Sequence, residues 1–524
     1  MNSFTAKLRG LRFSPFLACL FTGVLYALPC YFEKLFFLSY VSLTAFFIIL
    51  IKNENRKKRF GYFFSFSFGF FFTLYIWLST LYPFPGFNFT DSQAKIIIIL
   101  ACIGIPLFHA LLHSAIMSLT KFLPKSRIVS VIGFGCAWIL SEWVFSLGTL
   151  GFPWGRAALS QVGFLYSIQS VSLFGSYFIA AVLVCSCMLF AFAVIDKKRT
   201  FAFAGLSIIT ANIVLGAVLY YIPVKTGDKI QTAILQGNAS MEEKWSGEKS
   251  TNKIWDTYIK MAEEAADNGA QVVIMPESAI PKDFRFIYKS LADVALSKDI
   301  TIIAGVIMDT EDGKGTYNSV LAIYPDGSVS ERYDKRHIVP FGEYIPYREF
   351  LESVLPFVGE LNLGDFTTIQ GDDTVIFKVD GIKNGSMICF DSIFDVLARN
   401  SVNDGAELLT VVTNDSWFRD SVGIAQHLNH SVLRAIENRR YIIRAANTGI
   451  SAYITPKGDI ISKTAPLVED IIYCEVFAIQ NRTLYTITGN IILVLAGLFY
   501  VFIIGLKLIK KPWRRKCDAD GKIV

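Results

Sequence analysis

The sequence predicts a membrane protein made of two materials: about eight transmembrane helices and one α/β domain in water. Three observations predict it. Of 524 residues, 53% are hydrophobic, only 18% are charged and 45 are Phe, with mean hydropathy +0.44; an ordinary soluble chain is about 25% charged. Yet the 50 Lys+Arg and 44 Asp+Glu are too many for membrane spans alone. The apolar runs also keep to the two ends of the chain, leaving one polar block at 225–482.

A helix crossing hydrocarbon needs about 20 apolar residues. Runs of that kind lie near 13–31, 36–51, 60–80, 95–117, 127–146, 164–195 and 201–222, and one more near 484–509. The second is short at both ends. The sixth is long enough to tilt or to start outside the bilayer. The expected division is therefore a transmembrane domain at 1–224 with seven helices, a polar domain at 225–482, a last span at 483–510 and a basic tail at 511–524. The Phe-rich stretch Gly61–Thr73 reads either as a lipid-substrate surface or as a lipid-facing helix in which Ser65 and Gly69 permit a close contact.

Orientation follows from Lys and Arg in short loops. Basic clusters stand at 7–12, 52–59, 121–127, 197–199 and 507–516, whereas the intervening loops hold Lys34, Lys95 and Arg156. The contrast alternates correctly for eight spans. Both termini are then cytoplasmic and the block 225–482 is extracytoplasmic. The net charge of +6 is a record of topology, so it gives no support to a nucleic-acid partner. The nine Cys form no CxxC pair and no paired framework, so neither zinc nor a disulfide scaffold is indicated.

Within 225–482, short β-branched runs alternate with helical patterns. Strands are expected at Ile230–Leu235, Val272–Met275, Ile300–Met308, Asn318–Tyr324, Thr374–Val379, Gly385–Phe390, Leu408–Val412, Ile450–Thr455 and Asp459–Ser462. Helical spacing covers 249–268, and again Gln426–Asn447 through Leu428, Val432, Ile436 and Ile443. Pro325-Asp326-Gly327, Asp380-Gly381 and Pro456-Lys457-Gly458 mark turns. This is an α/β domain with a layered sheet core.

Three local patterns carry possible chemistry. Met275-Pro276-Glu277-Ser278 puts an acid directly after a buried strand, where α/β folds place reactive groups; an ordinary loop acid reads the same way. Tyr333-Asp334-Lys335-Arg336-His337 opens a charged loop that runs to Glu343, and a solvated loop reads the same way. Ile388-Cys389-Phe390-Asp391 ends an apolar strand with a thiol beside an acid, and a lone strand Cys is commonly core. Together they supply a nucleophile, a base and a cation. A thiolate is a strong nucleophile, an acid takes its proton, and an ammonium steadies an oxyanion.

In that order and spacing, Glu277, Lys335 and Cys389 resemble the Glu-Lys-Cys set of the nitrilase superfamily. Over nearly the whole chain the sequence is similar to the membrane-embedded apolipoprotein N-acyltransferase branch. The resemblance includes Gly151-Phe152-Pro153-Trp154 with Ser160-Gln161, Leu235-Gln236-Gly237-Asn238 with Lys244-Trp245, and Tyr317-Asn318-Ser319. It continues through His337–Pro346, Asn414–Phe418, Gln426-His427, Arg434-Ala435, Asn447–Ile450 and Thr483–Thr486. It implies a nitrilase-like αββα sandwich standing outside a bacterial inner membrane, on a multi-pass helical domain.

The resemblance also implies roles. Glu277 is the general base for Cys389. Cys389 attacks a phospholipid ester and keeps the acyl chain as a thioester. Lys335 stabilises the oxyanion. The free α-amine of a diacylglyceryl-cysteine at an apolipoprotein's N-terminus then accepts the chain, a ping-pong scheme. Glu343, Asp391, Phe390 and Asn318 are expected to support the site, and Trp245 and Trp417 to contact lipid or simply to pack. The family more often has Tyr then Glu after the nucleophile, where this chain has Phe390 and Asp391. The loop Phe84–Thr90 and the segment 350–370 are candidate lids.

No cofactor motif is visible. His427 and His430 stand three apart on a helix without HExxH or a third ligand, so no metal is expected. Arg434, Glu437, Arg440 and Arg444 fall on one expected helix face and suggest an ion-pair network. Two other readings stay open: a membrane-tethered amidase hydrolysing small amides, and a non-catalytic lipoprotein-binding component.

Overall fold

The computed structural model describes residues 14–53, 55, 57–84, 89–244, 246–313, 315–354 and 367–509. Each apolar run contains helix. Among the described residues, four helices are long and apolar enough to cross a bilayer: Asp91–Phe122, Arg127–Val144, Tyr177–Asp196 and Arg199–Tyr221. A pair bent by 116°, Pro153–Gln161 with Leu165–Phe174, would make a fifth, while Pro15–Cys30, Leu38–Lys52 and Ile491–Lys507 are apolar but shorter. Arg199–Tyr221 buries only Gly205, Asn212 and Gly216, so its Phe203, Val214 and Val218 are exposed as lipid would require.

Two expectations change here. The run 164–195 is not one continuous helix: short turns at Leu165–Ser167 and Val171–Phe174 precede the helix that begins at Tyr177. Gly175 makes the corner at φ +77°, where a Cβ would stand 2.5 Å from Asn490 Oδ1. The Phe-rich helix Arg59–Leu74 has two faces: Tyr62, Phe63, Phe66, Phe70 and Phe71 are buried, while Phe60 and Phe72 are exposed on the opposite, outward face. Gly69 does allow a close approach, its missing Cβ lying 2.3 Å from Leu20 O. Ser67, not Ser65, is the buried hydroxyl, 2.7 Å from His113 Nδ1.

The polar block folds as two stacked sheets. Strands β1 (Lys229–Gln236), β2 (Val272–Ile274), β3 (Thr301–Asp309), β4 (Gly315–Ile323), β5 (Tyr333–Asp334) and β6 (Thr367–Thr368) belong to the first. Strands β7 (Ile376–Val379), β8 (Ile382–Ile388), β9 (Leu408–Thr413), β10 (Ile442–Ala446), β11 (Ala452–Ile454) and β12 (Ile460–Lys463) form the second, and β13 (Asp470–Phe477) returns to the first. The first sheet runs β13-β1-β2-β3-β4-β5 with β6 beside β4; the second runs β12-β11-β10-β9-β8-β7. Strands β1, β2 and β3 are parallel, as are β8, β9 and β10.

Neighbouring residues along each strand feed different cores, because strand side chains alternate faces. Ile234, Ile274, Ile303, Ile388 and Val412 meet between the sheets. Leu235, Val273 and Ile302 pack under helices Glu248–Asp267 and Phe284–Lys298. Met387, Leu409 and Val411 pack under helices Asp395–Asn403 and Val422–Asn438. The result is an α–β–β–α sandwich.

The last layer has a second neighbour. Leu428, Val432 and Ile436 share one apolar cluster with Trp154, Phe71 and other residues of the helical part. Helix Val422–Asn438 is therefore buried almost all round, as a helix between two bodies must be.

The expected helix Gln426–Asn447 is two elements. It ends at Asn438 on the left-handed Arg439, φ +49°, and Ile442–Ala446 is β10, paired in parallel with β9. The β-branched pair Ile442-Ile443 favours the strand; its fit to a helical period is coincidental. The arginine network changes with it. Arg434 pairs with Glu437 at 2.7 Å, Arg444 pairs instead with Asp415 at 2.8 Å, and Arg440 donates to backbone carbonyls of Ala406 and Asn481. Strand β13 and the helices at 284–298 and 395–403 were not expected, although Phe284, Ile287, Leu291 and Val294 keep a helical spacing and Ile472, Cys474 and Val476 alternate as a strand requires.

Candidate active site

The three expected residues sit at strand ends on one edge of the sandwich. Glu277 follows β2, Lys335 follows β5 and Cys389 follows β8. Gly305 on β3 makes room for the first: a Cβ there would meet Pro276 O at 2.4 Å and Glu277 Cα at 2.7 Å. Cys389 has φ +48°, a conformation unfavourable for a side-chain-bearing residue and common where function imposes strain. It turns the strand sharply into the 3₁₀ segment Cys389–Ile393.

Lys335 stands at the centre. Its Nζ is 3.0 Å from Glu277 Oε1 and 2.6 Å from Glu343 Oε1, and it is 0% exposed. Glu277 Oε1 also accepts from Asn318 Nδ2 at 2.7 Å, and its Oε2 from the Asn414 amide at 2.7 Å. Glu343 Oε2 accepts from the Val339 amide at 2.9 Å. Burial pushes the Glu277 carboxyl up, but Lys335 and the two donors outweigh it and hold it below the ordinary value. Burial raises Glu343, Lys335 only partly opposes this, and Glu277 raises it further. Of two acids sharing one ammonium, Glu277 is thus the ionised one and Glu343 the one that takes a proton more readily. Burial lowers Lys335, yet both acids more than reverse that and keep it charged.

The Cys389 thiol is pushed up by burial and by Glu277 and Asp415, against the pull of Lys335 and Thr413. It rests as a thiol, so it needs a base at the moment of attack.

Asp391 joins the nucleophile turn to the lysine loop. Its Oδ2 accepts from Tyr333 Oη at 2.8 Å and the Ile388 amide at 3.2 Å; its Oδ1 accepts from the His337 amide at 2.8 Å. Phe390 is buried, stacked on Phe152 at 5.7 Å and edge-on to Phe394 at 5.4 Å, an apolar setting that suits Phe. Trp417 is half-buried in the turn Asp415–Phe418, next in chain to Asn414. Trp245 lies outside the described residues, as do 85–88 of one candidate lid and 355–366 of the other.

Sequence reasoning missed Asn414, Asp415, His427 and Arg444 as neighbours of the nucleophile. Cys389, Asp415 and His427 have ligand atoms within 4.8 Å of one another, so His427 does gain company, though not from His430. The set does not fit a metal well. Arg444 Nη2 already lies 2.8 Å from Asp415 Oδ2 and 3.0 Å from His427 Nδ1, and a fixed guanidinium repels a cation. His427 Nδ1 meets Asp415 Oδ1 at 2.9 Å, and its Nε2 lies 3.2 Å from the Cys389 carbonyl. The residues Asn414-Asp415 and Gln426-His427 were visible as motifs; their meeting required the fold.

Comparison with known proteins agrees with this architecture. The sequence profile for carbon-nitrogen hydrolases matches residues 231–478, and that for the apolipoprotein N-acyltransferase N-terminal domain matches 22–189. The apolipoprotein N-acyltransferase of Wigglesworthia glossinidia brevipalpis is 31% identical over 412 residues, 75% of this chain and 79% of its own. That of Methylococcus capsulatus is 31% identical over 346 residues, 65% of this chain and 66% of its own. That of Vibrio vulnificus is 26% identical over 464 residues, 85% and 88% of the two chains.

Proposed function

The chain belongs to the apolipoprotein N-acyltransferase family, and from that premise we infer that it N-acylates lipoproteins through an acyl-Cys389 intermediate. Glu277 takes the thiol proton as Sγ attacks the carbonyl of a phospholipid ester. Lys335 stabilises the tetrahedral oxyanion. The ester C–O bond breaks, a lysophospholipid leaves with the proton, and the acyl chain stays on sulfur as a thioester. The free α-amine of a diacylglyceryl-cysteine then attacks, the C–S bond breaks, and an amide forms as the thiol is restored.

One observation carries this reading: an ionised, buried Glu277 and a charged, buried Lys335 share a hydrogen bond at the strand edge that bears the left-handed Cys389. An electrostatic site kept dry is strong, because low dielectric magnifies it. Glu343, beside Lys335, supports the site or receives a proton. Asp391 and Asn318 hold Lys335 and Glu277 in register, Phe390 packs the nucleophile turn, and Trp245 and Trp417 are assigned to lipid contact.

The membrane has a mechanistic reason. Extracting an acyl chain into water would cost about 0.8 kcal/mol per CH₂. Eight crossings, with both termini cytoplasmic and the catalytic part at 225–482 outside the cell membrane, would let both lipid substrates keep their chains in hydrocarbon. The division into 1–224, 225–482, 483–510 and 511–524 belongs to this proposal, as do lids at 84–90 and 350–370.

The test is incubation of the purified protein with phospholipid, followed by mass spectrometry of the Cys389 peptide. An acyl thioester supports the reading; its absence with Cys389 intact, alongside hydrolysis of soluble amides, would transfer the assignment to a tethered amidase.

A further inference from the structure

The motif Gly151-Phe152-Pro153-Trp154 is not used by the chemistry above, yet its segment touches the nucleophile turn at one point and residues packed beside it at two more. Phe152 stacks on Phe390, ring centroids 5.7 Å apart and 18° from parallel. Trp154 stacks on His427 at 5.6 Å and 27°, and its Nε1 donates to Gln426 Oε1 at 2.7 Å. Arg156 Nη2 reaches Asp395 Oδ1 at 2.5 Å, both side chains almost fully buried. Phe390 adjoins Cys389 in sequence, His427 Nε2 lies 3.2 Å from the Cys389 carbonyl, and Asp395 opens the helix that leaves the turn.

The segment is itself held from behind. The Phe152 amide donates to Phe145 O at 2.7 Å, and the Ala157 amide to Glu142 Oε1 at 2.9 Å. Gly155 lets it press on the Phe-rich helix, where a Cβ would meet Leu74 at 2.9 Å and Phe71 at 3.0 Å. Asp395 gathers a third piece of chain, accepting from Tyr485 Oη at 3.0 Å and Asn490 Nδ2 at 2.7 Å just before the last apolar helix.

We propose that residues 152–156 of the helical part position the nucleophile: Phe152, Trp154 and Arg156 fix the strained Cys389 turn through Phe390, His427 and Asp395. The sandwich alone then lacks a correctly aimed thiol, and reactivity depends on its seat against the apolar helices. This rests on the reading of Cys389 as the acyl-accepting thiol. The physical ground is that a left-handed Cys persists only where its surroundings over-determine it, and a misplacement of about 1 Å can slow chemistry about a hundredfold.

The test uses the full chain in phospholipid nanodiscs. The double substitution R156M/D395N removes the buried pair without leaving a lone charge; W154A and W154F remove no charge at all. Two rates are read: acyl-thioester formation over a range of phospholipid concentrations up to saturation, and alkylation of Cys389 by iodoacetamide across pH, which needs no lipid. In W154A and R156M/D395N we expect kcat for acylation to fall about tenfold or more with KM within about twofold. The alkylation profile shifts toward that of an ordinary thiol ionising near pH ~8.5, and W154F recovers most of the loss. If R156M/D395N does not fold, the tryptophan pair decides alone. Wild-type kcat and an unchanged alkylation profile in folded variants would overturn the proposal, as would a loss confined to KM. A wild-type chain that is alkylated but never acylated would sink the acyl-transfer reading, and the alkylation profiles would still decide the positioning role.

Discussion

Lys335 Nζ lies 3.0 Å from Glu277 Oε1, with both side chains all but removed from water. The same ammonium lies 2.6 Å from Glu343 Oε1. One cation therefore holds two acids together, and the site's protonation states follow from that geometry. A buried acid pair without its cation is a strongly unfavourable arrangement.

Lys335→Met removes that cation. At pH 7 the expected loss is about 3–5 kcal/mol of stability, the usual consequence of orphaning buried charge. The loss shrinks at lower pH as the acids take up protons. Adding Glu277→Gln restores much of the stability and none of the acylation. Thermal unfolding of the single and double variants checks both statements; a Lys335→Met variant as stable as wild type at pH 7 would contradict the charge assignment.

The two acids respond differently to amide substitution. Glu277 is held ionised, so Glu277→Gln removes the base and lowers acyl-enzyme formation about 10³-fold, within the range for general bases. Glu343 is raised toward its protonated form, which Gln mimics, so Glu343→Gln is expected to lose only about tenfold, below the span of about 10²–10⁴ for a group that transfers the proton. Single-turnover acylation rates separate them; equal losses would mean that the acids are interchangeable.

Asp391→Asn sets donors against donors. Both Asp391 oxygens accept, from Tyr333 Oη and the Ile388 amide on one side and the His337 amide on the other. Asn offers one acceptor and one NH₂, which must face at least one N–H or O–H. Leaving a buried donor unpaired costs about 1–3 kcal/mol. The lysine loop and the nucleophile turn lose their shared anchor, so acylation should fall about a hundredfold. Denaturant unfolding and acylation rates measure the two effects.

Much of this was legible in sequence because strand ends and apolar periods are local. Met275-Pro276-Glu277 and Ile388-Cys389 are short buried runs ending in reactive groups, and the structure puts both at strand ends on one edge. The error at Gln426–Asn447 was local too: Ile443 satisfies a helical period, and only pairing of β10 with β9 decides otherwise. The Arg444–Asp415 and Arg156–Asp395 pairs join residues 29 and 239 positions apart. No window along the chain contains both members, so the supports of the nucleophile became visible only with the fold.

Acid stability gives the last prediction, with two windows of known sign. Burial and then Arg336 lower the His337 imidazole to about 4, against about 6.5 unfolded. Between those values the unfolded chain binds a proton that the folded chain does not, so stability falls as pH drops from about 6.5 to about 4. The His337 contribution is then about 2–3 kcal/mol at pH 7, absent below pH ~4. Burial also lowers His427, reinforced by Arg444 and opposed by Asp415, which adds loss in the same direction. Asp415 and Asp395 act lower down. Burial raises each, but Arg444 and Arg156 respectively lead the interactions that hold them far below the ordinary carboxylate value. Their stabilisation is complete above the unfolded Asp value of about 3.9 and is lost as pH falls beneath it. Denaturant unfolding at pH 7, 5, 4 and 3 should thus show a decline down to pH 4 that His337→Gln makes shallower, followed below pH 4 by a steeper one that it leaves intact. A His337→Gln chain with the full wild-type decline between pH 7 and 4 would remove the histidine from the account.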